Sequence, residues 1–177
     1  MNRLIWATAL SLSMAVAAFA GGVVKTKTPA QAVAALMSFK PPKNWSVVAY
    51  ANSEGADPVL RFENLADTVQ ILVFGSPGSN YRTPKDFPVS PSEAGTVTVA
   101  GKKLTLYRRR FPIEAADPHR PSAGKSLLGS EVFCILPLKN GRFAVLAYRR
   151  ASPMPDLHQT GEKAWAAFLK TVTPTEP

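Results

Sequence analysis

The apolar and polar positions of this chain fall into blocks of different texture, and each block predicts an element. Leu4 to Ala20 is an uninterrupted run of apolar and small residues behind Arg3, ending in Ala18-Phe19-Ala20. A charged start, an apolar stretch and an A-x-A ending describe a secretory signal peptide covering residues 1–20. An uncleaved anchor is the rival reading. The run is at the short limit for crossing about 30 Å of hydrocarbon, so cleavage after Ala20 is preferred. No cysteine stands at the cleavage point, so a lipidated N-terminus is not expected, and no later segment is apolar enough to span a membrane. Residues 21–177 then make a single exported globular domain, long enough for one core and short for two.

Thr28-Pro29 reads as an N-cap followed by proline at the first helical position. Ala30, Val33, Leu36 and Met37 recur at helical spacing, and Lys40-Pro41-Pro42 ends the helix. Strand texture follows over Trp45–Ala51, Pro58–Glu63 and Thr68–Gly75, with turn residues between the runs. Ser76–Gly95 is rich in proline and has no period, so it is either a functional flap or hides a short helix near Ser90–Glu93. Thr96–Ala100 and Leu104–Pro112 flank Gly101-Lys102, whose leading glycine suits a type II′ hairpin turn. After a second long loop, Ile113–Ser130, the runs Glu131–Leu138 and Arg142–Arg150 flank Lys139-Asn140-Gly141. A three-residue turn with Gly141 left-handed is preferred there, because a two-residue turn would put Pro137 on a ladder bond.

Both faces of this last hairpin are apolar: Val132, Cys134, Leu136 and Leu138 point one way, Phe133 and Ile135 the other. Both faces of the sheet therefore need a cover. A C-terminal helix, with Asp156 and Gln159 as a capping pair and Trp165, Phe168, Leu169 and Val172 as its stripe, supplies one. The N-terminal helix or the proline-rich loop supplies the other. The expected class is α+β: a largely antiparallel sheet of about seven strands covered by an N-terminal and a C-terminal helix, an α/β/α sandwich.

This order resembles the PsbP-like family, the α/β/α sandwich of the extrinsic photosystem II proteins. The resemblance runs over residues 38–172 and rests on the Pro41-Pro42-x-x-Trp45 entry, the meandering strands, the late Asn-Gly hairpin and the closing Trp/Phe/Leu helix. It implies a non-catalytic accessory or docking protein, at the level of fold alone. No residue set transfers a photosynthetic role.

Composition narrows the chemistry. The 177 residues are 46% hydrophobic and 19% charged, which excludes a disordered or collagen-like chain. Cys134 is the single cysteine, so an internal disulfide and a Cys-rich zinc site are both excluded. In the apolar run EVFCILPL it reads as a buried small hydrophobe. No complete catalytic signature is present. Ser122-Ala-Gly-Lys125-Ser126 has the tail of a phosphate loop, but His119 stands where that motif needs glycine. Ser122-x-x-Lys125 lacks the partner motifs of the penicillin-recognising enzymes, and no serine lies in a G-x-S-x-G elbow. Asp117-Pro-His119 and Asp156-Leu-His158 could converge on one metal through two imidazoles and two carboxylates. Nothing in their spacing forces that, and two exposed histidines is the simpler reading. No cofactor is expected.

The charge is the best positive signal. With 21 Lys+Arg against 12 Asp+Glu the chain carries +9, or +8 once Arg3 is removed. Arg108, Arg109 and Arg110 close one strand, and Arg149 and Arg150 close another. If those strands run parallel, both clusters lie at one end of the sheet, with Arg120 and Lys125 on the adjoining loop. The anion-binding set would then be Arg108, Arg110, Arg120, Lys125, Arg149 and Arg150, since guanidinium forks bind phosphate and carboxylate bidentately. Against it stand Glu114, Asp117, Glu131 and Asp156 at the same end, with Glu131 expected to pair with Arg149 or Arg150. Lys102, Lys103, Lys139 and Arg142 fall at the opposite end.

These readings point to an exported, non-catalytic binding or accessory domain of the cell envelope, periplasmic or extracellular. Its expected partner is an anionic envelope component or a protein, and nucleic acid is not expected. The alternative is a small metal-dependent or serine hydrolase using His119 and His158; a stoichiometric metal in tag-free protein would favour it. A third reading is a structural subunit that exposes an apolar patch at Trp45 or the proline-rich loop.

Overall fold

Apolar residues on both faces of the late hairpin demand two covers, and the structure meets that demand asymmetrically. The computed structural model describes residues 27–52, 57–65, 67–88, 92–112, 128–150 and 159–175. The elements are α1 (Pro29–Ala34), β1 (Met37–Ser38), β2 (Ser46–Ala51), β3 (Pro58–Asn64), β4 (Asp67–Phe74), β5 (Ser92–Val99), β6 (Lys102–Pro112), β7 (Leu128–Pro137), β8 (Phe143–Arg150), α2 (Gln159–Thr171) and β9 (Thr173–Pro174). Seven strands form one antiparallel sheet in the order β2-β3-β4-β8-β7-β6-β5, and β1 pairs with β9 in a separate two-stranded sheet. The α+β class and the seven-stranded antiparallel sheet are therefore as expected.

One face of the sheet carries the main core. Phe62, Val69, Ile71, Cys134, Leu136 and Leu146 pack there with Val33 of α1 and Trp165, Phe168 and Leu169 of α2. Both helices thus belong to one cluster, which corrects the expectation of a helix on each face. On the opposite face Phe74, Phe133, Phe143, Val145 and Ala147 are covered by Phe87 and Tyr81 of the segment after β4. Phe87 lies 5.6 Å from Phe74 and 5.7 Å from Phe133, ring centroid to centroid. Aromatic burial of this kind lets a proline-rich segment without regular structure act as a layer. Asp57, fully buried, ties that segment to the start of β3 by accepting from the Asn80 N–H at 3.3 Å.

Local differences from expectation have identifiable causes. Thr28 and Gln31 close a capping box on α1, as the Thr-Pro start implied. The helix nevertheless stops after Ala34, and Met37-Ser38 extends to pair with Pro174 and Thr173. A helix this short is marginal alone, and pairing with the C-terminal segment still buries Met37. Ser92 and Glu93 belong to β5, which removes the short helix proposed for Ser90–Glu93. The β5–β6 turn is Ala100-Gly101, both left-handed (φ 49° and 75°), so it is type I′ rather than II′. At the β7–β8 turn the three-residue register holds. Leu138 donates to the Arg142 carbonyl at 2.9 Å, and Pro137 stands opposite Phe143.

Candidate functional site

Strand direction decides whether the basic residues meet. β6 is antiparallel to β7 and β7 to β8, so β6 and β8 run parallel and both arginine clusters lie at one end of the sheet. Arg109, Glu131 and Arg149 form one cross-strand row, and Arg110, Ser130, Arg150 and Asp67 form the next. Successive residues of a strand point to opposite faces. The cluster is therefore split: Arg108, Arg110 and Arg150 lie on the helix-covered face, Arg109 and Arg149 on the face covered by the proline-rich segment.

Three of these arginines are already engaged. Arg109 pairs with Glu131, whose side chain is only 7% exposed, and its guanidinium lies 5.3 Å from the centre of the Phe133 ring. Arg150 pairs with Glu162 of α2 at 3.0 Å. Arg149 stands in register with Glu131 but stacks on the Phe111 ring, 3.8 Å from its centroid. Gly129 makes this possible, because a Cβ there would run into the Phe111 ring and lie 2.7 Å from the Arg150 carbonyl oxygen. Glu131 thus pairs with Arg109, not with Arg149 or Arg150. Stacking occupies the face of a guanidinium and leaves its in-plane N–H donors available. Arg108 and Arg110 are exposed. Among the described residues, no carboxylate stands within ion-pair distance of Arg108, Arg110 or Arg149.

Beneath the first turn of α2 lies a buried polar pair. The Tyr148 hydroxyl donates to Asp67 Oδ1 at 2.9 Å, and both residues are almost completely buried. Gly161 lets the helix approach, since a Cβ there would stand 2.6 Å from the Tyr148 hydroxyl. Burial first, and the hydrogen bond to Asp67 second, push the Tyr148 phenol far above its ordinary range. The unfolded phenol ionises near pH 10 while the folded one does not. The stability this group contributes is thus complete below about pH 10 and declines as pH rises above it. Tyr148→Phe is expected to lower stability by about 1–3 kcal/mol at neutral pH and to flatten the alkaline limb of the stability profile. Denaturant unfolding between pH 7 and 11 measures both. Cys134 is fully buried, and burial pushes its thiol up to about 12, so it is an inert core residue as its sequence context implied.

Asp117, His119, Arg120, Ser122, Lys125, Asp156 and His158 lie outside the described residues. Among those described, no three of His, Cys, Asp and Glu come together as metal ligands. Trp45 packs against the main core, and the segment after β4 lies on the sheet. Among the described residues, the exposed large apolar side chains are instead Val47, Val48 and Tyr50, on edge strand β2, and Leu65.

The opposite end of the sheet holds a feature that sequence reasoning missed. A cleft of about 780 Å³ opens between the β5–β6 turn, the β7–β8 turn, the end of α1 and the chain around β9. Lys102, Lys139 and Arg142 line it together with Leu36, Pro77, Leu138 and Pro174. The basic residues were visible in the sequence as a charge balance. The cleft was not, because its walls come from five segments separated by more than 20 residues.

No family model matches the chain, and no curated protein matches it. Membership of the PsbP-like family is therefore not shown. Among solved structures the chain is similar to LpqN, described as involved in cell envelope biogenesis of Mycobacterium tuberculosis. The two are 13% identical over 79% of this chain and 83% of LpqN, with a TM-score of 0.45. A likeness that loose assigns no role. No helix among the described residues is long and apolar enough to cross a membrane.

Proposed function

We propose that this chain is an exported, non-catalytic binding or accessory domain of the cell envelope that recognises an anionic partner at the arginine end of its sheet. The observation that carries the reading is Arg149 placed over the Phe111 ring, 3.8 Å from its centroid, with no carboxylate of the described residues within ion-pair distance. Most exposed arginines sample many rotamers, and ordering them costs entropy on binding. A guanidinium already fixed by stacking presents its fork with less of that cost. Arg108 and Arg110 add exposed positive charge at the same end. Pro112 and Leu128, which flank the segment carrying Arg120 and Lys125 in the sequence, are paired at this same end. The signal-like N-terminus and the +9 charge support export and an anionic partner.

The test is charge reversal. Arg108→Glu combined with Arg149→Glu is expected to weaken binding to vesicles containing phosphatidylglycerol by tenfold or more, with the melting temperature lowered by no more than a few degrees. The wild-type affinity should fall steeply between low and high salt. An affinity unchanged by the double variant retires the arginine site.

A further inference from the structure

The cleft at the turn end is a second site, on the side of the sheet furthest from the arginines, and its lining has an uneven chemistry. Among the described residues, Lys102, Lys139 and Arg142 are its charged lining, and no carboxylate stands with them. Its remaining surface is largely apolar, from Leu36, Pro77 and Leu138 among others. Three like charges around one opening repel one another, an arrangement that an anion relieves. The apolar lining gives an inorganic anion nothing to contact, whereas a hydrocarbon chain would bury it. A volume of about 780 Å³ lies within the range of sites that take up whole organic ligands.

The walls are also built to hold shape. Gly75 sits against the β7–β8 turn so closely that a Cβ would meet the Gly141 carbonyl oxygen at 2.7 Å. The Leu138 and Arg142 backbones are bonded to each other, and the Thr175 N–H donates to the Leu36 carbonyl at 2.8 Å, fastening the C-terminal segment to the end of α1. The cleft is thus assembled by backbone hydrogen bonds and does not depend on side-chain rearrangement to exist.

We infer that this cleft binds a single-chain anionic amphiphile, its head group between Lys102, Lys139 and Arg142 and its hydrocarbon chain along Leu36, Pro77 and Leu138. The ligand class follows from the lining alone and stands apart from the arginine end.

Titration with alkyl phosphates of four, eight and twelve carbons, each below its micelle concentration, tests this directly. Affinity should rise with chain length, by up to about fourfold for each methylene that is fully buried. Lys102→Glu with Lys139→Glu alters two exposed side chains, so the fold should survive. It should weaken dodecyl phosphate by tenfold or more while dodecyl maltoside, weak at the outset, is unchanged. Arg149→Glu should leave dodecyl phosphate binding intact, which separates this site from the one on the opposite end. Binding independent of chain length, equal binding of dodecyl maltoside, insensitivity to the Lys102/Lys139 reversal, or no binding of dodecyl phosphate would each overturn the inference.

Discussion

Phe168→Ala should lower the free energy of unfolding by about 3–5 kcal/mol, the range for deleting a fully buried aromatic side chain. Phe168 is 2% exposed and sits at the meeting point of α2 with the sheet. Its ring lies 6.0 Å from Phe62 of β3, 6.1 Å from Phe39 and 6.0 Å from Trp165, centroid to centroid. Removing it takes away one shared wall from three other rings, and those rings stand on separate elements that cannot all close inward. For a domain of this size each kcal/mol corresponds to about 2–4 °C, so the melting temperature should fall by roughly 10 °C. Phe168→Leu, which keeps most of the volume, should recover more than half of the loss. A fall of less than 1 kcal/mol for the alanine variant would mean that α2 is not docked through this cluster.

Gly75→Ala is expected to cost about 2–4 kcal/mol through two separable effects. The residue has φ +87°, where any side chain is strained by about 1–2 kcal/mol. A Cβ would also lie 2.7 Å from the Gly141 carbonyl oxygen and 2.9 Å from the Arg142 Cα, both backbone atoms that no rotamer change can move. Overpacking of this kind adds about 1–3 kcal/mol. Gly78 provides the comparison, with a similar φ of +89° and open space where its Cβ would be. Gly78→Ala should show the strain alone. Denaturant midpoints for the two variants measure the difference, and equal losses would mean that the β4 exit and the β7–β8 turn are not in contact.

Much of the sheet was legible because its signals are local. The strand pair around Asn140-Gly141 is set by turn chemistry, Gly101 marked the other hairpin although its turn lies one residue earlier than expected, and the double-faced apolar pattern of Phe133 and Cys134 demands burial on both sides. The stripe Trp165, Phe168, Leu169, Val172 identified α2 and its buried face, all four residues being buried. The errors arose where distant segments decide the outcome. Met37 keeps a helical spacing with Val33, yet its backbone pairs with Pro174. Nothing local to either segment reports that pairing. The second cover was left open between the N-terminal helix and the proline-rich loop, and tertiary contacts of Phe87 and Tyr81 with Phe74 and Phe133, which no local period reports, decide it for the loop.

The site divided along the same line. The arginine clusters could be read from Arg108-Arg109-Arg110 and Arg149-Arg150, and strand polarity then brings them to one end. Which of them stay available could not be read, because that turns on Gly129 making room for Phe111 and on Glu131 choosing Arg109. The cleft at the far end escaped altogether, being the meeting of three turns, the end of α1 and the chain after α2.

The most direct measurement of the central proposal is thermal unfolding of the purified protein with a panel of anionic envelope components at low and high salt, using zinc and neutral glycans as controls. An anionic phospholipid or phosphorylated wall polymer at a hundred times its dissociation constant should stabilise the fold by about 2.7 kcal/mol. The proposal predicts a rise in melting temperature with at least one such anion, reduced at high salt and lost in the Arg108→Glu/Arg149→Glu variant. A melting temperature indifferent to every anion at low salt would contradict it, leaving the stacked Arg149 and its neighbours as solvated surface charge.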